Sequence, residues 1–485
     1  MSELQNVIGG VAVAPASGTW VERGLTPDGT AELAAVPESD ERDVRAAVET
    51  AREAQSAWAA LSAFERADFL RAIARQLRED AGSLASIMCA ELGKPIGEAH
   101  GELENAARVL EYYAGLAHEM GGAHLPSRQA DVHMFTRREP RGTIAIITPW
   151  NFPVNLAVVK LAPALLAGNA AVWKPASQAA QSSYAFALSM IKSGLPAGVV
   201  NMVLGGGAEV GTPLTDSDID GVSFTGSCTV GQQIESRCSA RGVRTITELG
   251  GKNVAVVCAD ADLDAAVEAI VNGAFRFAGQ KCTATSRVVV LESVQAEFIA
   301  LLMKRMHGLT VGYPADPTTF MGPLISQDAV AEALSSIEEA VAVGAELLAG
   351  GRRPDALDST QGAFLEPTVL AGVTAGMRIA TEELFAPVLV IITARDAEEA
   401  IALADRTDFG LTAAIFTNDL GTAFAFVDQA DVGAVQVNLP TAGLEYQAPV
   451  GGRRGSGSGG VEQGIAALDF YTRTKSVSMR YRTIS

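Results

Sequence analysis

The sequence is poor in the residues that build metal centres and disulfide frameworks. Its 485 residues include 5 cysteines and 5 histidines. The thiols Cys89, Cys228, Cys238, Cys258 and Cys282 show no C-x-x-C spacing, and no Cys/His cluster resembles a zinc site. No metal is expected. A sparse, odd set of thiols fits a reduced, cytoplasmic protein, as does a start, Met1-Ser-Glu-Leu-Gln, without a basic or long apolar stretch. Positive charge is scarce as well: Lys+Arg 37 against Asp+Glu 56 leaves a net −19. Most of the surface would repel phosphates, so nucleic acid is not an expected partner. The Arg pairs at 137–138, 352–353 and 453–454 are isolated. Long apolar runs are missing too. Residues 142–173 carry one charge, Lys160, but Pro149, Asn151, Pro153 and Pro163 keep every run below the roughly 20 apolar residues of a membrane span. No membrane partner is expected.

What is present is core material, at 48% hydrophobic and 19% charged residues. Helical periodicity marks 41–60, 64–93 and about 98–119. Short apolar strands then alternate with helices: Thr143–Ile147, Ala170–Trp173, Val199–Val203, Gly221–Phe224, Thr245–Glu248 and Val254–Cys258. That alternation predicts an α/β fold with a parallel sheet covered on both faces. After about residue 250 the pattern restarts, with a helix at Leu263–Phe277, a strand at Ser286–Leu291 and a helix at Ser293–His307. Later units include the helix Ala397–Asp405 and the strand Leu411–Phe416. A second α/β domain is therefore expected between about 250 and 445. Segments 124–141 and 470–482 fit neither domain and read as exposed strands that pair with something, such as another subunit.

Cys282 follows Gly279-Gln-Lys281 at a helix-to-strand junction, where Lys281 and backbone N–H groups would lower its pKa. By residue type alone a buried structural thiol is the favoured reading. No histidine sits in a plausible site motif, so a nucleophilic Cys282 needs a carboxylate base. Glu248 ends an apolar strand directly before Gly250-Gly251, where α/β active sites collect residues, and an apolar setting would raise its pKa. An ordinary solvated Glu before a turn is the alternative. The stiff loop Thr148-Pro-Trp-Asn-Phe-Pro153 holds one amide, Asn151, able to donate to an oxyanion or simply to a turn. Lys174 lies at another strand end. Phe224-Thr-Gly-Ser-Cys-Thr-Val-Gly231 should open a helix whose N–H groups can hold a pyrophosphate. As a bare G-x-G-x-x-G fingerprint it fails, because Cys228 replaces the middle Gly.

Taken in order, Pro149-Trp-Asn-Phe-Pro153, Lys174-Pro-Ala, Phe224-Thr-Gly-Ser227, Glu248-Leu-Gly-Gly-Lys252, Gly279-Gln-Lys-Cys282, Glu382-Glu-Leu-Phe385 and Pro449-Val-Gly-Gly452 resemble the aldehyde dehydrogenase superfamily over almost the whole chain. The resemblance implies a Rossmann-like dinucleotide-binding domain (1–123 and 146–250), an α/β catalytic domain (251–448) and a small β oligomerisation flap (124–145 and 466–485). It implies NADP or NAD as cofactor, an aldehyde as substrate, and a homodimer or homotetramer. Cys282 would be the nucleophile, Glu248 the base that activates water, and Asn151 with the Cys282 N–H the oxyanion donors. Thr148, Trp150, Lys174 and Ser177 would contact the cofactor, with Gly226, Ser227 and Gly231 at its pyrophosphate and Glu383 and Phe385 at the nicotinamide ribose. Phe152 and Val450 would face the substrate. Glu462 matches a carboxylate near the deacylation path.

Departures from the family pattern narrow the expectation. Ser177 stands where many NAD-dependent members carry Glu, so a 2′-phosphate is no longer repelled and NADP should be accepted. Ala386 and Val450 replace a usual Gly and Phe. Arg276, six positions before the nucleophile, occupies a place where members acting on apolar aldehydes carry an aromatic; a guanidinium there would orient a carboxylate. A surface Arg on a helix is the alternative. With the tail from Glu462, this resembles the α-ketoglutaric semialdehyde dehydrogenases, with succinate semialdehyde dehydrogenases close. A CoA-acylating enzyme is disfavoured by Glu248, and a non-catalytic cofactor-binding protein by intact Cys282, Asn151 and Glu248.

Overall fold

Capping fixes the first long helices. Asp40 and Asp43 form a reciprocal capping box at the start of Glu41–Ala60, and Ser62 with Glu65 does the same for Ala63–Leu92. The second helix stops at Gly93, whose φ of 68° is a left-handed cap that Gly adopts without a Cβ penalty. Its apolar stripe, including Leu70, Ile73, Leu77 and Met88, is fully buried, each such side chain contributing about 2 kcal/mol by leaving water.

The computed structural model describes residues 3–357 and 361–481. It contains two large, mainly parallel sheets. In the first, Val200–Met202, Ala170–Pro175, Thr143–Thr148, Gly221–Thr225 and Arg244–Glu248 lie side by side and parallel, with antiparallel strands added at both edges. Thr143–Thr148 is buried along its whole length, as a strand covered on both faces must be. The second sheet has seven strands, with Asn253–Val257, Thr285–Leu291 and Val388–Ala394 near its centre. A third, antiparallel sheet joins Thr472–Arg480 to Val132–Pro140 and His124–Leu125.

Two boundaries differ from the expected ones. The flap segment 124–145 ends too late, because Thr143–Thr148 pairs with Ala170–Pro175 inside the first sheet and residues 143–145 belong there. Gly457–Ser458, left outside every expected domain, adds an edge strand to the first sheet opposite Glu248 and Thr247. The expected flap continues to 485 and the first domain begins at 1; residues 482–485 and 1–2 lie outside the described residues.

Candidate active site

The parallel register of the first sheet sets Thr225 beside Glu248 at the carboxyl ends of their strands. Topology thus puts Glu248 where the chain leaves the sheet, before the Gly250-Gly251 turn. Cys282 arrives on the segment that leads into Thr285–Leu291 of the second sheet. The helix Leu263–Phe275 ends, and Phe277 (φ 52°), Ala278 (φ 53°) and Gly279 (φ 70°) turn the chain in the left-handed region. Two non-glycine residues there store strain, about 1 kcal/mol or more each. Gly279 has no alternative: a Cβ would lie 2.4 Å from the Ala386 carbonyl oxygen.

Cys282 and Glu248 line one cavity of about 470 Å³, together with Phe152, Tyr446, Val450 and Glu462. Burial, then the carboxylates of Glu383 and Glu248, push the Cys282 thiol up to about 12, against the Thr283 and Cys282 N–H groups. This reverses the expected lowering. Lys281 does not offer its charge to the thiol; its ammonium lies 3.5 Å from the Glu98 carboxylate. The resting thiol is protonated and needs a proton acceptor. Burial raises the Glu248 carboxyl well above its usual range, helped by nearby Glu462 and opposed by Lys160 and the Gly452 N–H. Glu248 Oε2 accepts from Gly452 N at 3.1 Å, while Oε1 is buried with no partner, as is Thr225 Oγ1. Behind it Lys160 is fully buried, its ammonium on Glu462 and 3.2 Å from Ser223 Oγ. A carboxyl with a raised pKa and an unpaired oxygen, lining the same cavity as a thiol, has the properties of a general base. Asn151 is buried as well, and its amide donates to the Gln280 carbonyl at 3.0 Å, two residues before Cys282.

A second cleft, of about 560 Å³, is lined by Thr148, Trp150, Lys174, Gly226 and Ser227, and shares Thr225 with the first. Burial draws the Lys174 ammonium down to about 8. Phe385 stacks edge-on against Trp150 with centroids 5.7 Å apart. Glu383 accepts from Gly251 N at 3.0 Å, and burial lifts its carboxyl to about 7.

Residues 20–477 match the aldehyde dehydrogenase family. The chain belongs to that family. It is 40% identical over 476 residues to the α-ketoglutaric semialdehyde dehydrogenase of Bacillus subtilis (strain 168), covering 98% of each chain. Among solved structures, betaine aldehyde dehydrogenase from Staphylococcus aureus in complex with NAD+ is similar at a TM-score of 0.95 and 33% identity, over 99% of this chain and 95% of that one. An E. coli NADP-dependent enzyme is similar at 0.95 and 35%, over 99% and 98%.

Within this aldehyde dehydrogenase three expected contacts fall elsewhere, and Glu383 and Phe385 line neither cavity but a smaller one with Gly251, Lys252 and Lys281. Arg276 is exposed and does not line the cavity. Its Nε donates back one helical turn to Asn272 Oδ1 at 2.8 Å, and its guanidinium lies 4.8 Å from the Phe320 ring. That keeps it on the outer face of the helix, before the left-handed turn swings the chain inward. Gly231 is not part of the cleft wall; a Cβ there would lie 2.5 Å from Leu249 Cδ2, so its role is to let the helix Cys228–Ala240 pack on the strand end. Ser177 turns its hydroxyl to the Gly205 carbonyl at 2.9 Å. Other site residues escaped the sequence reading. Glu98, Glu102, Asn105 and Arg108 line the cavity from one face of the helix Ile96–Gly115. Their spacing of three and four is a readable signal: a polar stripe at helical period beside an equally regular buried stripe.

Proposed function

We propose that this aldehyde dehydrogenase oxidises a carboxylate-bearing semialdehyde, such as α-ketoglutaric semialdehyde, to the acid, with NADP or NAD as hydride acceptor. The observation that carries the reading is the single cavity shared by Cys282 and Glu248, which meets the second cleft at Thr225. The named semialdehyde of the Bacillus subtilis relative supports the substrate class. The NAD+ and NADP of the two similar structures support the cofactor.

The donors of the second cleft fit a dinucleotide. The helix Cys228–Ala240 opens there without a side-chain cap, leaving its first N–H groups to a pyrophosphate. Lys174 would meet the adenosine ribose or its 2′-phosphate, and Glu383 with Phe385 the nicotinamide end. When bound, the nicotinamide supplies the two-electron acceptor chemistry. Cys282, deprotonated with Glu248 as acceptor, adds to the aldehyde carbon and forms a thiohemiacetal. The Asn151 amide and the Cys282 N–H hold its oxygen. With the hydride lost to the acceptor and the thiol proton passed from Glu248 to solvent, Cys282 would carry the carbon as a thioester; Glu248 then takes a proton from the attacking water and returns it to the leaving Cys282 sulfur as the acid departs. At the cavity mouth the guanidinium of Arg108 reads the ω-carboxylate, with Lys281 as the second lining cation; Arg276 stands outside. A reduced cytoplasmic setting suits five free thiols. Thr472–Arg480, a nine-residue edge strand, suits a dimer or tetramer contact.

The test is NAD(P)H formation from succinic, glutaric and α-ketoglutaric semialdehydes against benzaldehyde and hexanal, with each cofactor and without CoA. Turnover of the dicarboxylate-type aldehydes with either cofactor is expected. Absolute dependence on CoA, or a preference for hexanal, contradicts the reading.

A further inference from the structure

The chemistry requires two loops to keep a fixed spacing: 151–155, bearing the oxyanion amide, and 276–282, bearing the nucleophile. Both are tied to the first turns of the helix Ile96–Gly115. Glu102 Oε1 accepts from Val154 N at 3.0 Å and Asn155 N at 3.1 Å, capping the helix Asn155–Leu166, which has no side-chain cap at its own N-cap residue. Glu102 Oε2 pairs with the Lys94 ammonium, which also donates to the Asn151 carbonyl at 2.6 Å. That ammonium lies over two rings set edge to face, 4.0 Å from the Phe152 centroid and 4.4 Å from the Phe277 centroid. One turn earlier Glu98 accepts from Phe277 N at 2.9 Å, in the left-handed turn that leads to Cys282.

Lys94 is fully buried, and a buried ammonium is costly unless all its faces are satisfied. Here they are satisfied by a carboxylate, one carbonyl and two rings; the carbonyl and both rings lie on the catalytic loops. Local backbone fixes its place: Gly93 is left-handed, a Cβ there would lie 2.6 Å from Pro323 Cγ, and Pro95 caps the next helix. We propose that Lys94 and Glu102 are positioning residues of the acylation half-reaction, setting where the Asn151 amide stands relative to Cys282. This rests on Asn151 being the oxyanion donor of the proposed function.

The test is the stopped-flow burst of reduced cofactor with the best semialdehyde, for Lys94→Met, Glu102→Gln, Asn151→Ala and the Lys94→Met/Asn151→Ala double variant. Cofactor Kd is measured beside it by fluorescence titration. Lys94→Met should slow the burst rate constant about 100-fold, the scale of a misplaced donor, with burst amplitude and Kd unchanged. Glu102→Gln, which keeps the shape and loses the charge, should slow it about tenfold. The double variant should be no slower than Asn151→Ala, because Lys94 acts through that amide. A wild-type burst rate with reduced amplitude, or effects that multiply in the double variant, overturns the proposal. If Lys94→Met yields no soluble protein, a wild-type burst rate in Glu102→Gln overturns it. A slow Asn151→Ala with a fast Lys94→Met defeats only the positioning role, whereas a fast Asn151→Ala defeats the oxyanion assignment and this proposal with it.

Discussion

The two cavities that meet at Thr225 are assembled on different principles. The cleft holding Trp150, Lys174 and Ser227 takes its wall from strand ends of one parallel sheet and from the helix starts that follow them. Short stretches of continuous sequence supply it, and backbone groups do much of the work. The cavity holding Cys282 gathers residues from 98–108, 152–156, 248, 281–283, 442–450 and 462. Glu248 and Glu462 are buried in its wall, with the ammonium groups of Lys94 and Lys160 buried behind. The first design binds through a motif. The second tunes reactivity through burial and pairing that no single stretch of sequence contains.

If the division of labour is right, damage on the two sides should look different. Cys282→Ala should lower kcat by about 10^4-fold or more, since no second thiol is among the described residues that line the cavity, while cofactor Kd, measured by fluorescence titration, stays as it was. The thiol's reactivity comes next. With its pKa near 12, thiolate rises as pH rises, so iodoacetamide labelling of the Cys282 peptide in cofactor-free enzyme should climb about tenfold per pH unit from neutrality to about pH 10. A plateau near neutrality would mean that Lys281, not burial, governs the thiol. At the mouth, Arg108→Ala should raise KM up to about fivefold for ω-carboxy aldehydes and leave propanal unchanged, the loss of one solvent-facing charge contact from a guanidinium shared with Glu104. Arg276→Ala should change both by less than about twofold, as expected of a surface residue. On the cofactor side, Ser177→Glu should shift the NADP-to-NAD ratio of kcat/KM towards NAD about fivefold, a repulsion of about 1 kcal/mol at a half-buried, solvent-screened position.

The same contrast explains how much was legible beforehand. Strand ends before glycines gave Glu248 and the Phe224–Ser227 turn a place, because parallel α/β sheets collect ligands at their carboxyl edge. Cys282 and Asn151 were visible as motifs whose geometry depends on local backbone. Arg276 was misread because a position in sequence says nothing of the left-handed turn that follows it, or of the Asn272 amide one turn back. Gly231 looked like a phosphate contact, yet its missing Cβ serves packing against Leu249. Lys281 lost its expected influence to Glu98, more than 180 residues earlier in the chain. Lys94, Glu102 and Lys160 went unnoticed as site residues for a physical reason: charged residues are rarely buried, and only tertiary contacts reveal which ones are. The flap bound of 145, drawn from the resemblance, overran the strand Thr143–Ile147 that apolar patterning assigns to the parallel sheet.

The most direct measurement is a single-turnover experiment with Glu248→Gln, mixing enzyme, semialdehyde and NADP, then weighing the protein by mass spectrometry. A dual role for Glu248, as the thiol's proton acceptor and the base for water, predicts a slowed burst that still rises to one reduced cofactor per active site, negligible steady turnover, and an acyl adduct retained on Cys282. Steady turnover at the wild-type rate, with Cys282 unmodified, contradicts it.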